Sequence, residues 1–295
     1  MNFKLKCPRQ WFLGFVSLAV WCLAGPLSAQ QQVVTHNQVV DANFGYGAGL
    51  LELGLSYFPG KYQLRGSDEF YGQARMLQEF DSGNLDVIWV GTNAEYEQQY
   101  RPIRIPLFKG LLGHRLFIIR QGDQPRFDRV RSLEQLKKIP LGQGRTWADT
   151  EILRSVGLEV VTTNKYVNLF PMLEGGRFDA FPRGAHEPWA EIRDWAHLNL
   201  TVEERLMLVY RMPLYFFVKN EDRELARDLE EGLNRAIADG SFDRHFFGHE
   251  LVRDVLRQAN LQDRRAFFID NPNMTPETPV DRDELWLDIS NLPEE

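Results

Sequence analysis

Three short stretches carry side chains able to grip a small molecule. Arg145-Thr146-Trp147 precedes a segment with helical spacing. The free N–H groups and dipole of a helix start favour an anion. Arg145 adds a bidentate partner for a carboxylate or phosphate, and Trp147 offers a flat face for stacking, with core packing as the alternative. Pro182-Arg183-Gly184 follows the apolar run Phe178–Phe181, with His186 and Glu187 just after. Packing explains an arginine between proline and glycine at a strand end poorly, so Arg183 is read as a ligand contact; the alternative is an ion pair with Glu187 or a neighbouring acid. Thr92 and Asn93 follow the run Leu85–Val90 and bring a hydroxyl, an amide and free backbone N–H groups, the alternative being a turn or helix cap. His186 is expected to be a surface or hydrogen-bonded residue, since nothing gives it metal-ligand spacing.

Other chemistries lack their patterns. No Ser/His/Asp nucleophile spacing, Walker loop or HExxH is present. Gly45, Gly47 and Gly49 do not make a dinucleotide fingerprint, because the third glycine is missing from its required place; they read as a flexible loop. No cofactor and no metal are expected.

The elements that must position these residues alternate. Gln32–Val40 reads as a strand with its turn, Leu50–Phe58 as a helix ended by Pro59-Gly60, and Ser67 as the N-cap of a helix through Phe70, Ala74, Leu77 and Phe80. Leu85–Val90 suits a strand covered on both faces. Strands are expected again at Leu116–Arg120, Ile139–Gly142, Glu159–Thr162, Phe178–Phe181 and Tyr215–Val218, with helices between them. Ser132 and Gln135 form a capping box. Leu225, Leu229, Leu233 and Ile237 make one helical stripe, and the chain beyond Asn260 turns proline-rich and extended, pinned by Trp286. Alternation of this kind argues for an α/β fold with mostly parallel sheets.

Lys4, Lys6 and Arg9 precede an apolar run from Trp11 to Ala24, broken by Gly25-Pro26 and followed by Leu27-Ser28-Ala29. That order predicts a cleaved signal peptide over residues 1–29, with cleavage near Ala29 and a periplasmic product. The two cysteines, Cys7 and Cys22, both fall in this leader, so the exported chain has neither a disulfide nor a thiolate to use. The formal net charge is -7, and loss of the three basic leader residues makes it about -10. Such a surface argues against nucleic acid as a partner.

Taken in order, GNLDVIWVGT (Gly83–Thr92), RSLEQLKKIPLGQGRT (Arg131–Thr146), LEGGRFDAF (Leu173–Phe181) and IADGSFDRHF (Ile237–Phe246) resemble the bacterial extracellular solute-binding proteins of family 3, the amino-acid-binding type. The resemblance covers most of residues 32–260. It implies a two-lobed, type 2 periplasmic-binding-protein-like α/β fold. One lobe comprises residues 30–109 plus 212–268 and the other residues 110–211, with two hinge strands between them and residues 269–295 as an extended tail. It implies a ligand held in the cleft by Thr92, Asn93, Arg145, Thr146, Trp147, Arg183 and Glu187, with Phe44 and Tyr46 where the family has an aromatic platform.

The chain departs from the family at two charges. The arginine that binds the ligand carboxylate falls on Glu97, counted from Pro106, and the aspartate that binds the ammonium falls on Gly184. An ordinary free α-amino acid is therefore not the expected ligand; a molecule with at least one anionic group is. The expected role is that of a monomeric, exported binding protein serving a membrane transporter. The alternatives are a ligand-sensing module for a membrane signalling partner and a periplasmic enzyme resembling cyclohexadienyl dehydratases.

Overall fold

Dense apolar runs become strands and amphipathic stretches become helices in the computed structural model, which describes residues 31–290. The expected leader, with its cleavage point, lies outside the described residues. In chain order the strands are β1 (Gln32–His36), β2 (Tyr62–Gly66), β3 (Val87–Gly91), β4 (Arg101–Ile103), β5 (His114–Arg120), β6 (Leu141–Gly144), β7 (Val160–Thr163), β8 (Phe181–Gly184), β9 (Leu200–Val202), β10 (Leu206–Val209), β11 (Leu214–Val218) and β12 (Arg265–Phe268).

They form two lobes. In the first, β1 pairs with β2, and β11 pairs with both β3 and β4. A backbone hydrogen bond from Asp86 to Thr35 ties the two groups together. In the second, β5 lies between β10 and β8 and also carries β9, while the β6–β7 pair joins through a bridge from Leu141 to Ala180. The pairings are more mixed than mostly parallel sheets. β1–β2, β6–β7 and β10–β12 are parallel, but β5 and β11 run antiparallel to their ladder partners. Each of these two strands follows a segment that crosses between the lobes, so it enters its sheet against the locally built strands.

The glycines at 45, 47 and 49 are not in a loop. They lie in the helix Ala42–Ser56, which Asp41 caps by accepting from the Phe44 N–H at 2.9 Å. Close approach explains them. A Cβ on Gly47 would sit 2.5 Å from the Trp89 indole, and one on Gly49 2.6 Å from His245. Further along, Gly54 packs against Gly232 of the helix Arg223–Ala238, whose own Cβ would fall 1.8 Å from the Gly54 carbonyl oxygen. Two helices meet here backbone to backbone. Ser67 likewise caps no helix: its hydroxyl serves Gln38 and Glu69, and the helix begins at Gln73.

β12, expected with the first lobe, pairs with β10 of the second. Asn260 turns the chain with φ 45°, and the buried Arg264 guanidinium donates to the carbonyls of Ala259, Glu203 and Leu206. Those bonds hold the segment against the second sheet. The chain then returns over the body. Trp286 covers Gly110, donates to the Pro279 carbonyl at 2.9 Å and lies under the Arg211 guanidinium at 5.6 Å. Leu285 is buried beside it. Gly110 and Arg211 belong to the two crossing segments, so the tail is fastened at the hinge.

Candidate functional site

A cavity of about 470 Å³ is lined by residues of both lobes and of the crossing segments between them. Phe44, Met76 and Trp89 come from the first lobe, Trp147 and Tyr166 from the second, and Leu112 and Met212 from the crossings. Phe44 lies 5.7 Å from Trp89, and Trp147 lies 6.1 Å from Tyr166, ring centre to ring centre. Most of the wall is therefore apolar and aromatic, as ligand pockets generally are.

The polar end is a set of buried ion pairs. β8 begins at Phe181 rather than ending there, which carries Arg183 into the sheet, opposite Leu116 of β5. The guanidinium of Arg183, 5 % exposed, donates to Glu187 at 2.6 Å and to both oxygens of Glu191 at 2.8 and 2.9 Å. It also lies over the Trp147 ring at 4.8 Å. Glu187 follows the strand by one short turn, so its other oxygen accepts from the Gly184 N–H at 2.6 Å. Beside this set, Arg115 of β5 is 2 % exposed. It donates to Asp149 at 2.5 Å and to the Tyr210 hydroxyl at 2.7 Å, and it stands 3.6 Å from Glu187.

Burial shifts the protonation of these groups. Burial, with Glu191 adding to it, raises the Glu187 carboxyl to about 7, outweighing Arg183, Arg115 and the Gly184 N–H. Burial works against the charge of Arg183, but Glu187 and Glu191 hold it firmly protonated. His186 is stacked on Phe108 with centroids 3.7 Å apart, and its Nδ1 has no hydrogen-bond partner among the described residues. Burial first, then Arg115 and Arg183, keep its ring well below the ordinary histidine range. It is a buried neutral imidazole at the cavity wall, not the surface or hydrogen-bonded residue expected.

Of the residues singled out in the sequence, Trp147, Arg183 and Glu187 line the cavity together, as does Phe44. The rest do not. Thr92 is buried and donates to Glu97 at 2.7 Å. Asn93 is a helix cap, accepting from the Tyr96 N–H at 2.7 Å. Tyr46 is a core residue whose hydroxyl donates to the Leu107 carbonyl and whose ring stacks on Phe108. Arg145 and Thr146 are exposed, and the Thr146 carbonyl accepts from Gln73. The helix after them starts at Asp149, so a carboxylate already occupies its first turn. Glu97 is taken by Thr92, Arg104 and Thr275.

Arg115, Asp149 and Tyr210 escaped notice because each looks ordinary alone. A signal was present: an arginine opening the run Arg115-Leu116-Phe117-Ile118-Ile119 must find an acid if that strand is buried, and Asp149 is the acid it finds.

No family model and no curated protein sequence matches the chain. Solved structures do resemble it. An ancestral arginine-binding protein bound to arginine is 17 % identical, with a TM-score of 0.56 over 76 % of this chain and 99 % of that one. A probable amino-acid ABC transporter extracellular-binding protein from Bacillus subtilis is 15 % identical, also at 0.56, over 75 % and 98 %. A histidine kinase sensor domain with similarity to periplasmic binding proteins is 18 % identical, again at 0.56, over 76 % and 97 %. Taken with the paired sheets and the cavity between them, these likenesses show that the chain is built on the two-lobed, type 2 periplasmic-binding-protein-like fold.

Proposed function

We propose that this protein is an exported solute-binding protein that closes on one small organic molecule with a flat or apolar body and delivers it to a membrane transporter. The cavity between the lobes carries this reading. Its two aromatic walls come from different lobes, so hinge closure brings them onto a shared ligand. Arg183 and Glu187, already locked to one another, hold the polar end in a fixed arrangement. Delivery to a transporter draws support from the similar solved structures, two of which are binding proteins of amino-acid ABC transporters by their descriptions. The likeness to a kinase sensor domain favours a second reading, a ligand-sensing module, which needs the same closure. The same relatives are mostly binding proteins rather than enzymes, which supports binding without turnover.

The anionic ligand expected from the sequence loses its two partners. Arg145 faces solvent, and Arg183 is neutralised in place. The site holds an apolar body more plainly than it holds an anion.

The test is a thermal-shift screen of fractionated small-molecule extracts against dialysed protein, followed by mass spectrometry of whatever is retained. A ligand that binds only the native state raises the unfolding temperature. The reading requires at least one fraction to do so, and the shift to disappear in Trp147→Ala. A screen in which no fraction stabilises the protein rejects it.

A further inference from the structure

Building on that solute-binding reading, we propose that the ligand is an organic cation with an aromatic or aliphatic body and no carboxylate. The charges around the cavity carry the inference. Two cationic side chains line it, Arg115 and Arg183, against four carboxylates, Asp41, Asp149, Glu187 and Asp194. A fifth carboxylate, Glu191, holds Arg183 from outside the lining. Each guanidinium gives two of its nitrogens to internal partners, Arg115 to Tyr210 and Asp149 and Arg183 to Glu191 and Glu187, so its charge is balanced before a ligand arrives.

Two of the carboxylates keep capacity in reserve. The three hydrogen bonds that Asp149 accepts, from Arg115, Gln143 and Tyr210, all fall on Oδ2. Asp194 is exposed at the rim and forms no salt bridge among the described residues. The buried His186 lines the cavity with an unpartnered Nδ1 and, held neutral, adds no positive charge. A surplus of negative charge in a partly enclosed, low-dielectric space attracts a cation and repels an anion.

The walls point the same way. The faces of Trp and Tyr rings bind cations through their quadrupole, and the pocket already shows this with Arg183 stacked 4.8 Å above Trp147. A carboxylate brought between these walls would shed its water and meet ring faces and acids.

Three series of probes, each with a constant body, separate the charge types. They are tryptamine, tryptophan and indole-3-propionate; phenethylamine, phenylalanine and 3-phenylpropionate; agmatine and arginine. Calorimetry on the dialysed full chain at pH 8, where Glu187 is ionised, is expected to find an amine that binds at least tenfold more tightly than its carboxylate-bearing counterparts. Added salt should weaken that binding, Asp194→Asn about two- to threefold and Glu187→Gln about tenfold. The rim change touches no buried pair, so it reports on charge even where Glu187→Gln fails to fold. An acid or zwitterion binding as tightly as its amine overturns the inference while leaving solute binding intact. Silence from every probe also overturns it. Solute binding itself falls only if the extract screen is silent too.

Discussion

Arg183 lies over Trp147, 4.8 Å from its ring centre, while two of its guanidinium nitrogens are held by Glu187 and Glu191. One arginine thus links the aromatic wall of the cavity to its buried acids. It acts as a keystone of the site's geometry, and only through that role as a binding group.

The first prediction follows from the pair itself. Arg183→Met leaves Glu191 without its cation and Glu187 with only Arg115, 3.6 Å away. Removing one partner of a buried ion pair costs about 3–5 kcal/mol. Urea unfolding at pH 8 should show a loss of that order. At pH 5 the loss should shrink, because the two acids can then take up a proton.

Glu187 makes stability fall as pH rises. Its folded carboxyl sits at about 7, above the ordinary value of 4.5. Between these values the folded state binds a proton that the unfolded state has released, so unfolding becomes easier with increasing pH. The stabilisation from this group is fully present below about pH 4.5 and gone above about pH 7. Glu187→Gln removes that slope, on the order of 3 kcal/mol across the window. Comparing urea midpoints of the two proteins at pH 5, 6, 7 and 8 checks the sign: their difference should change up to about pH 7 and then level off.

Gly232→Ala should be severe for a conservative change. The added methyl would fall 1.8 Å from the Gly54 carbonyl oxygen, against backbone that has no rotamer to yield. Overpacking of this kind costs about 1–3 kcal/mol. The melting temperature should drop by several degrees, whereas alanine at Gly72, with nothing within 4 Å, should leave it nearly unchanged.

Two neighbouring residues should behave oppositely in binding. Arg145 is exposed and outside the cavity, while Trp147 lines it. Arg145→Ala should retain ligand as the unaltered protein does. Trp147→Ala should lose most of it, by roughly tenfold or more if one aromatic contact worth about 1.5 kcal/mol is removed. Mass spectrometry of ligand retained per mole of protein distinguishes them.

The tail should stabilise the hinge. Trp286→Ala opens space over Gly110 and removes the contact with Arg211. Hydrogen exchange is expected to quicken in residues 107–113 and 209–213 before it does in β3 or β11, whose strands are buried in the first sheet.

Most of the order of elements was legible in the sequence, because periodicity and capping act locally. The runs that become β3, β5, β7 and β11 and the helix 223–238 are apolar or amphipathic by their own composition, and Ser132 caps its helix through a residue three places on. The glycines of the helix 42–56 were misread for the complementary reason. Locally they break a helix; they belong in one only because Trp89, His245 and the helix 223–238 press against it, contacts made by residues far away in the chain.

The site divides along the same line. Residue type and position near a strand end were enough to mark Arg183, Glu187 and Trp147 as candidates. Whether an arginine is free or spent depends on which acids the fold brings to it. Glu187 and Glu191 are close in sequence, but Asp149 reaches Arg115 across 34 positions and Tyr210 across 95. A charge's availability to a ligand is a sum over all its neighbours, and the neighbours exist only once the second lobe has folded.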